Sequence, residues 1–170
     1  MSVAEAAVVI SKLPPGMSRD EFARAAKSIK RAVVLRTMWY PEIMDELERT
    51  AVEFLLASGV ASESIELRGL PGSLELPLAA QQVAKAQGSK RTADVIVALG
   101  CVIQGDTPHF EHVCRAAMDG LMRVQLDTGV PIGCGLLTVN SREQAEARKS
   151  KGAESAQAAL AMYALSRRGA

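Results

Sequence analysis

The chain has 170 residues, 48% of them hydrophobic and 23% charged, which is typical of one globular domain with a sizeable core. A formal net charge of +1 excludes the strong basic field by which proteins attract nucleic acid or anionic membranes. The apolar runs are too short to span a bilayer, and the first residues lack the pattern of a signal peptide. Three widely spaced cysteines, Cys101, Cys114 and Cys134, indicate reduced thiols in a cytoplasmic protein rather than a disulfide framework.

The hydrophobic pattern predicts strands that alternate with helices from about residue 30 onward. Pro41 suits the first turn of a helix and Gly59 its C-cap, with apolar residues at helical spacing between them. Ser141 and Gln144 form a capping-box pattern. In chain order we predict a strand over 30–35, a helix from 41 to 59, a strand over 64–67, a helix over 77–87, a loop over 88–91, a strand over 94–100, a helix ending near 127, a strand over 131–137, a helix from 141 that is interrupted at Gly152, and a final helix ending near 166.

This order predicts an α/β protein with a three-layer α/β/α, flavodoxin-like fold around a four-stranded parallel sheet. The strand predicted over 94–100 is apolar without a break after Asp94, which indicates burial on both faces, as in a parallel sheet. Right-handed crossovers then place the helices on both faces of the sheet. Residues 1–29, which include Pro14-Pro15-Gly16 and several charges, are expected to form an irregular N-terminal arm before a single domain over 30–170.

Unusual residues follow three of the predicted strands. Met38-Trp39-Tyr40 comes after the first, 69–75 after the second and 101–109 after the third. Because ligands of parallel α/β folds bind at the carboxyl ends of the strands, these segments predict one composite site. Trp39 suits stacking on a flat heterocycle, although filling the core or a subunit contact is the commoner role of a single tryptophan. Glu75 suits either hydrogen bonds to a polyol or capping of its own helix.

The third segment has the features of a phosphate-binding helix N-terminus. Gly105 gives backbone freedom, Thr107 suits an N-cap and Pro108 suits the first helical position. The amides of Gly105, Asp106 and Thr107 would then face an anion. His109, in the first turn, would lie close to that anion, where an imidazole takes and gives protons near neutral pH. The same residues also make an ordinary helix start, so both interpretations stay open.

Two histidines and one arginine complete the candidate polar residues. His109, His112 and Cys114 are of metal-ligating types, but their spacing fits no structural zinc pattern, so we predict no metal site. Arg148 suits a charge-assisted fork to a phosphate, although an exposed arginine on a helix is the usual case.

Several ordered motifs resemble those of the lumazine synthase (6,7-dimethyl-8-ribityllumazine synthase) family. The segment 70–77, LPGSLELP, resembles the family's (V/L)PG(A/S)xE(I/L)P, and 98–111, ALGCVIQGDTPHFE, resembles its ALGxVIxGxTxHF(D/E). The segment 135–148 contains GLLT and EQA and ends in Arg148, resembling the family's GxLT…EQAxxR, and Lys151-Gly152 continues it. The resemblance runs from about residue 30 to 164 and implies a lumazine synthase domain over 30–170.

The resemblance implies a transferase of riboflavin biosynthesis. Lumazine synthases condense 5-amino-6-(D-ribitylamino)uracil with 3,4-dihydroxy-2-butanone 4-phosphate to 6,7-dimethyl-8-ribityllumazine, releasing phosphate and water. The substrates supply nucleophile and electrophile, so no metal or organic cofactor is expected and the protein mainly orients two partners. Two alternatives stay open: a non-catalytic paralogue that binds lumazine or flavin, and a mainly structural assembly protein. An unrelated flavodoxin-like module is disfavoured, because the loop after the first strand lacks a phosphate-cradling Ser/Thr/Gly run.

The resemblance also implies roles for individual residues. Trp39 matches the aromatic position that stacks on the pyrimidine, Glu75 the one that binds the ribityl hydroxyls, and His109 the proton-transfer residue. Further positions of the pyrimidine and ribityl site are Ser73, Leu74, Cys101, Val102, Ile103, Cys134 and Lys151. The phosphate-binding positions are Gly105, Asp106 (through its amide, since its carboxylate would repel an anion), Thr107 and Arg148.

Three departures from the family pattern bear on assembly and on the site. Cys134 stands where many members have a phenylalanine that reaches the pyrimidine from a neighbouring subunit. The loop between Arg148 and Lys151 is several residues shorter than in many members, and Tyr40 replaces a common asparagine.

The partners implied by the resemblance are small-molecule substrates and copies of the same chain. We expect a homopentamer, with room for a higher assembly and for association with riboflavin synthase, and neither nucleic acid nor a membrane. Pro14-Pro15 opposes strand addition to a neighbour, which disfavours a closed shell.

Overall fold

The computed structural model describes residues 13–85 and 92–168, which contain a four-stranded, all-parallel sheet. The strands are β1 (Ala32–Thr37), β2 (Ile65–Leu70), β3 (Val95–Ile103) and β4 (Ile132–Val139). They lie side by side in the order β2-β1-β3-β4. The helices are α1 (Arg19–Ser28), α2 (Pro41–Ser58), α3 (Leu76–Ala84), α4 (His109–Thr128), α5 (Arg142–Glu146) and α6 (Lys151–Ser166), with short 3-10 turns at Ser62–Ser64 and Ser73–Glu75.

Helices cover both faces of the sheet, which confirms the predicted three-layer α/β/α fold. On one face, Val34 and Val97 share a hydrophobic core with residues of α1, α2 and α6. On the other, Val33 and Ile96 pack with residues of α3 and α4. Alternate residues of β1 and β3 therefore face opposite cores, as the apolar sequence after Asp94 predicted. No helix in the described part of the chain is both long enough and apolar enough to cross a bilayer.

The strands extend further toward their carboxyl ends than the sequence predicted. Cys101, Val102 and Ile103 belong to β3 rather than to the loop after it, because they pair with Leu137, Thr138 and Val139 of β4. The ladder continues for as long as both strands stay extended. Helix α3 ends at Ala84, short of the predicted end, and the predicted loop 88–91 lies outside the described residues.

The prediction of an irregular arm over 1–29 is wrong for its last part, which forms α1. Ser18 caps this helix, since its side-chain oxygen accepts a hydrogen bond from the Glu21 amide at 3.1 Å. Phe22 is buried and contacts the ring of Phe54 edge-on, with centroids 6.4 Å apart. Burial of this apolar face on α2 stabilises a helix that would be marginal alone. Residues 1–12 lie outside the described part of the chain, so the boundary at residue 30 stays a prediction.

Gly152 does not interrupt a helix, as the sequence suggested, but lies in the first turn of α6. The break falls earlier, in the turn 147–150 between α5 and α6. A methyl group on Gly152 would lie 2.0 Å from the Leu47 carbonyl oxygen of α2. The missing side chain therefore lets the backbones of α2 and α6 approach closely.

We expect Gly152→Ala to destabilise the protein by about 1–3 kcal/mol, because overpacking forces the two helix backbones apart. Gly69→Ala is the matched control, since a methyl group there meets no heavy atom within 4 Å. Chemical denaturation of both variants measures the difference in free energy of unfolding. Equal stability of the two variants would contradict the close approach.

Candidate active site

A cavity of about 350 Å³ opens at the carboxyl ends of β1 and β3. This is the edge of the sheet at which parallel α/β folds bind ligands. The structure brings together there eight residues that the sequence singled out: Trp39, Ser73, Leu74, Glu75, Cys101, Val102, Ile103 and His109. They come from four separate segments of the chain, which only the sheet order makes neighbours.

Trp39 does not fill the core of this chain. Its side chain is 63% exposed, and it lines the cavity directly after β1. Its indole is therefore available for a ligand or for a neighbouring subunit, in agreement with the stacking hypothesis.

Glu75 does not cap its own helix. Helix α3 begins directly after it, yet the Glu75 side chain makes no capping hydrogen bond. A methyl group on Gly72 would meet Glu75 Oε2 at 3.0 Å and Trp39 Nε1 at 3.6 Å. The carboxylate and the indole N–H thus converge beside Gly72 in the cavity wall, where they form a polar corner next to an aromatic face.

His109 is the first residue of α4 and lies exposed at the cavity. Pro108 is the N-cap rather than the first helical residue. The prediction that Thr107 is the N-cap is therefore wrong. The Pro108 carbonyl accepts a hydrogen bond from the Glu111 amide at 3.1 Å, so the proline ring starts the helix without a side-chain cap. The imidazole therefore stands at the positive end of a 20-residue helix.

The three residues before Pro108 are exposed and lie just outside the cavity lining. Across the described ranges, the amides of Gly105, Asp106 and Thr107 donate no hydrogen bond to another backbone group. Free amides beside a helix N-terminus favour an anion. The phosphate-binding hypothesis for this segment is therefore compatible with its geometry.

Cys101 is a neutral thiol rather than a nucleophile. The side chain is 4% exposed, and burial raises the pKa of this thiol to about 11. Because the thiolate is the reactive form, Cys101 contributes shape and an apolar surface near neutral pH. Within residues 13–85 and 92–168, no cluster of three or more His, Cys, Asp or Glu side chains is placed to hold a metal ion.

Three predicted site residues are not among those that line this cavity. Arg148 lies exposed in the turn between α5 and α6 and donates from Nη1 to the Gln144 carbonyl at 2.9 Å. Lys151 pairs with Glu154, with Nζ and Oε2 2.5 Å apart. Cys134 is exposed on the edge strand β4, with its sulfur 3.5 Å from the Met118 sulfur. The cavity of one chain thus contains only part of the expected site.

Three further residues line the cavity, of which Tyr40 and Gly72 lie in segments that the sequence predicted to form the site but without a role of their own, and Val113 was missed. Val113 lies four residues after His109 on α4, a spacing that puts both side chains on one face of a helix. Gly72 lies within the LPGSLELP segment, and Tyr40 directly follows Trp39. The helical spacing from His109 is the sequence signal that identifies Val113.

Comparison with known proteins identifies the family. A family model described as 6,7-dimethyl-8-ribityllumazine synthase matches residues 29–167. The chain belongs to the 6,7-dimethyl-8-ribityllumazine synthase family. A protein of this name from Xanthomonas campestris pv. campestris (strain B100) is 44% identical over 140 residues, covering 79% of this chain and 88% of the relative. Its counterpart in Kineococcus radiotolerans is 47% identical over 137 residues, covering 76% and 81%. That of Corynebacterium glutamicum (strain R) is 43% identical over 142 residues, covering 79% and 83%.

Family membership confirms the resemblance drawn from the motifs, and the geometry explains one departure from the pattern. Tyr40 has φ 58° and ψ 63°, the left-handed conformation, and it is the N-cap of α2. Asparagine tolerates this conformation far better than tyrosine does. Asparagine would therefore suit this backbone better, whereas Tyr40 adopts a strained conformation in which its partly buried ring packs against the core that includes residues of α2.

We expect Tyr40→Asn to be more stable than Tyr40→Ala by about 1 kcal/mol, because both variants lose the ring but only asparagine suits the left-handed backbone. Chemical denaturation measures the difference. At Arg24, an exposed position inside α1, the order should reverse, since asparagine is the poorer helix former. The same order at both positions would contradict a backbone cause.

Proposed function

We propose that this chain acts in the cytoplasm as an enzyme of riboflavin biosynthesis. It condenses 5-amino-6-(D-ribitylamino)uracil with 3,4-dihydroxy-2-butanone 4-phosphate to 6,7-dimethyl-8-ribityllumazine, with release of phosphate and water. The observation that carries the proposal is the cavity in which Trp39, Glu75 and His109 meet at the strand ends. An aromatic surface, a hydrogen-bond acceptor and a proton-transfer group are the functions that this condensation needs.

The pyrimidine substrate occupies the wall formed by Trp39 and the two segments 73–75 and 101–103. Its flat ring stacks on the exposed indole, and Glu75 accepts hydrogen bonds from the ribityl hydroxyls. The cavity of about 350 Å³ has the volume of an ordinary small-molecule site. Cys101 and its neighbours in β3 contribute chiefly backbone groups, since the Cys101 thiol stays protonated.

The phosphate of the second substrate binds at the N-terminus of α4, on the amides of Gly105, Asp106 and Thr107. This position brings its carbonyl carbon next to the amine of the pyrimidine. The amine attacks the ketone, and water is lost to form an imine. Loss of a proton and of phosphate then gives an enol, which tautomerises to a new ketone. The second nitrogen attacks this ketone, and the ring closes with loss of a second water. His109 takes and returns the protons of these steps from the same helix end. Orientation of two bound substrates supplies much of the rate.

Arg148, Lys151 and Cys134 complete the site from a neighbouring copy of the chain. None of the three lines the cavity of its own chain. Cys134 also lies beside an exposed apolar stripe on α4, where its sulfur contacts that of Met118. This stripe consists of Met118, Met122 and Leu126, which recur every four residues and are 38%, 53% and 75% exposed. An exposed apolar surface of this kind marks a protein contact. We assign it to the contact between subunits of a homopentamer, which carries Cys134 toward the neighbour's cavity.

The purified protein should form lumazine from the two substrates faster than the spontaneous reaction. Lumazine absorbance and phosphate release follow the turnover. We expect Arg148→Ala to raise KM for the phosphate substrate by about tenfold or more, because a charge-assisted hydrogen bond is lost. His109→Ala should lower kcat only moderately, because orientation remains.

Arg24→Ala on α1, remote from the cavity, is the control for nonspecific charge effects. A wild-type rate equal to the spontaneous rate, together with tight binding of the ribitylated pyrimidine or riboflavin, would replace the enzyme by a binding protein. Large particles with neither binding nor turnover would indicate a structural assembly protein.

Co-assembly of two defective variants tests whether the site is shared. Chains with Arg148→Ala keep His109, and chains with His109→Ala keep Arg148, so about a quarter of the interfaces in a random mixed ring would contain both groups. We expect co-expressed, differently tagged variants to form assemblies whose activity exceeds the mean of the two separate variants. Activity equal to that mean would place Arg148 and His109 in a site within one chain.

A further inference from the structure

Thr50 has a buried hydroxyl group that lies outside the cavity and joins two segments far apart in the chain. It lies on α2, is 6% exposed, and donates toward two carbonyl oxygens. One is its own helix carbonyl, Leu47 O, at 3.1 Å, and the other is Lys149 O, at 3.2 Å. The first contact is ordinary for a threonine inside a helix, but the second joins residues 99 positions apart.

Lys149 lies in the turn 147–150, between the two cationic residues assigned to substrate binding. Arg148 directly precedes it, and Lys151 begins α6 two residues later. The turn is otherwise closed by local backbone bonds, from the Arg148 amide to Ala145 O at 2.9 Å and from the Lys151 amide to Arg148 O at 3.0 Å. Such local bonds shape the turn but do not fix its place against the rest of the molecule.

The turn is fixed to α2 by contacts around Thr50. Besides the bond to Lys149 O, the glycine at 152 lets α6 touch the same helix turn, since a methyl group there would lie 2.5 Å from Thr50 Oγ1. An outer ion pair joins Arg142 Nη2 to Glu42 Oε2 at 3.2 Å, but both side chains are more than half exposed, so solvent weakens it. The buried hydroxyl is therefore the stronger polar contact between α2 and this segment.

We propose that Thr50 is a positioning residue for the phosphate site. It holds the Lys149 carbonyl, and through it sets the backbone from which Arg148 reaches the phosphate of the substrate. The inference rests on the proposed function, because it needs Arg148 to bind that phosphate. Since Tyr40 is the N-cap of α2, one helix links the aromatic wall of the cavity at its start to the arginine turn near its middle.

Thr50→Val keeps the shape of the side chain and removes the hydroxyl. We expect it to raise KM for 3,4-dihydroxy-2-butanone 4-phosphate by roughly five- to tenfold, because a hydrogen bond is lost and the arginine shifts. KM for the ribitylated pyrimidine should change by less than about twofold, and the inhibition constant of inorganic phosphate should rise in parallel. Thr50→Ser should restore wild-type values, since it restores the donor.

Ser58→Ala is the matched control. Ser58 is a buried hydroxyl on the same helix that donates to Phe54 O at 2.8 Å, inside the helix only. A loss of helix stability alone would affect both variants in the same way, whereas positioning affects only Thr50. If Thr50→Val does not fold, Thr50→Ala serves in its place.

The double variant Thr50→Val, Arg148→Ala identifies the route of the effect. If Thr50 acts through Arg148, the double variant has the same KM for the phosphate substrate as Arg148→Ala alone. An unchanged KM in Thr50→Val, an equal rise for both substrates, or the same rise in Ser58→Ala would overturn the inference. An inactive wild type, or an unchanged KM in Arg148→Ala, would instead refute the proposed function, so the two failures are distinguishable.

Discussion

The central position of β3, which is buried on both faces of the sheet and paired on both edges, is the constraint on which the rest of the molecule depends. This strand pairs with β1 on one side and β4 on the other, and its residues from Val95 to Cys101 are buried. Because the buried backbone groups of such a strand have to be hydrogen-bonded, its pairing register sets the positions of β1 and β4 along the strand direction. The carboxyl ends of these strands, and the start of α4 behind β3, then meet at one edge. Trp39 and His109 become neighbours for this reason, although they are 70 positions apart in the chain.

The site has two parts that differ in how they are held. The cavity wall belongs to strand ends and helix starts, which the sheet positions directly. The cationic segment around Arg148 belongs to the turn 147–150 between α5 and α6, and its position depends on contacts with α2. A buried hydroxyl and the close approach at one glycine are among these contacts, beside the apolar packing of α2 on α6.

Local patterns were sufficient wherever one short segment decided the outcome. The apolar spacing of α2, its C-cap at Gly59 and the cap of α5 at Ser141 were all predicted, and the structure confirms them. The pattern at Ser18 and Glu21 was equally local, but the prolines before it favoured an irregular arm, and the burial of Phe22 that stabilises α1 is not visible in the segment. The length of β3 was underestimated for a similar reason, since its last residues are strand only because β4 continues beside them.

The amino-acid order established the fold class, the family and most of the candidate residues, because motif residues and hydrophobic periods are properties of short stretches of chain. Tertiary structure decided which of these residues share a cavity. It brought Trp39 and Glu75 together beside Gly72, left Arg148 and Cys134 outside, and required Tyr40 to adopt a left-handed backbone. These outcomes depend on distances between segments far apart in the chain. Such distances are set by sheet register and by the close approach of α2 and α6 at Gly152, which no single segment encodes.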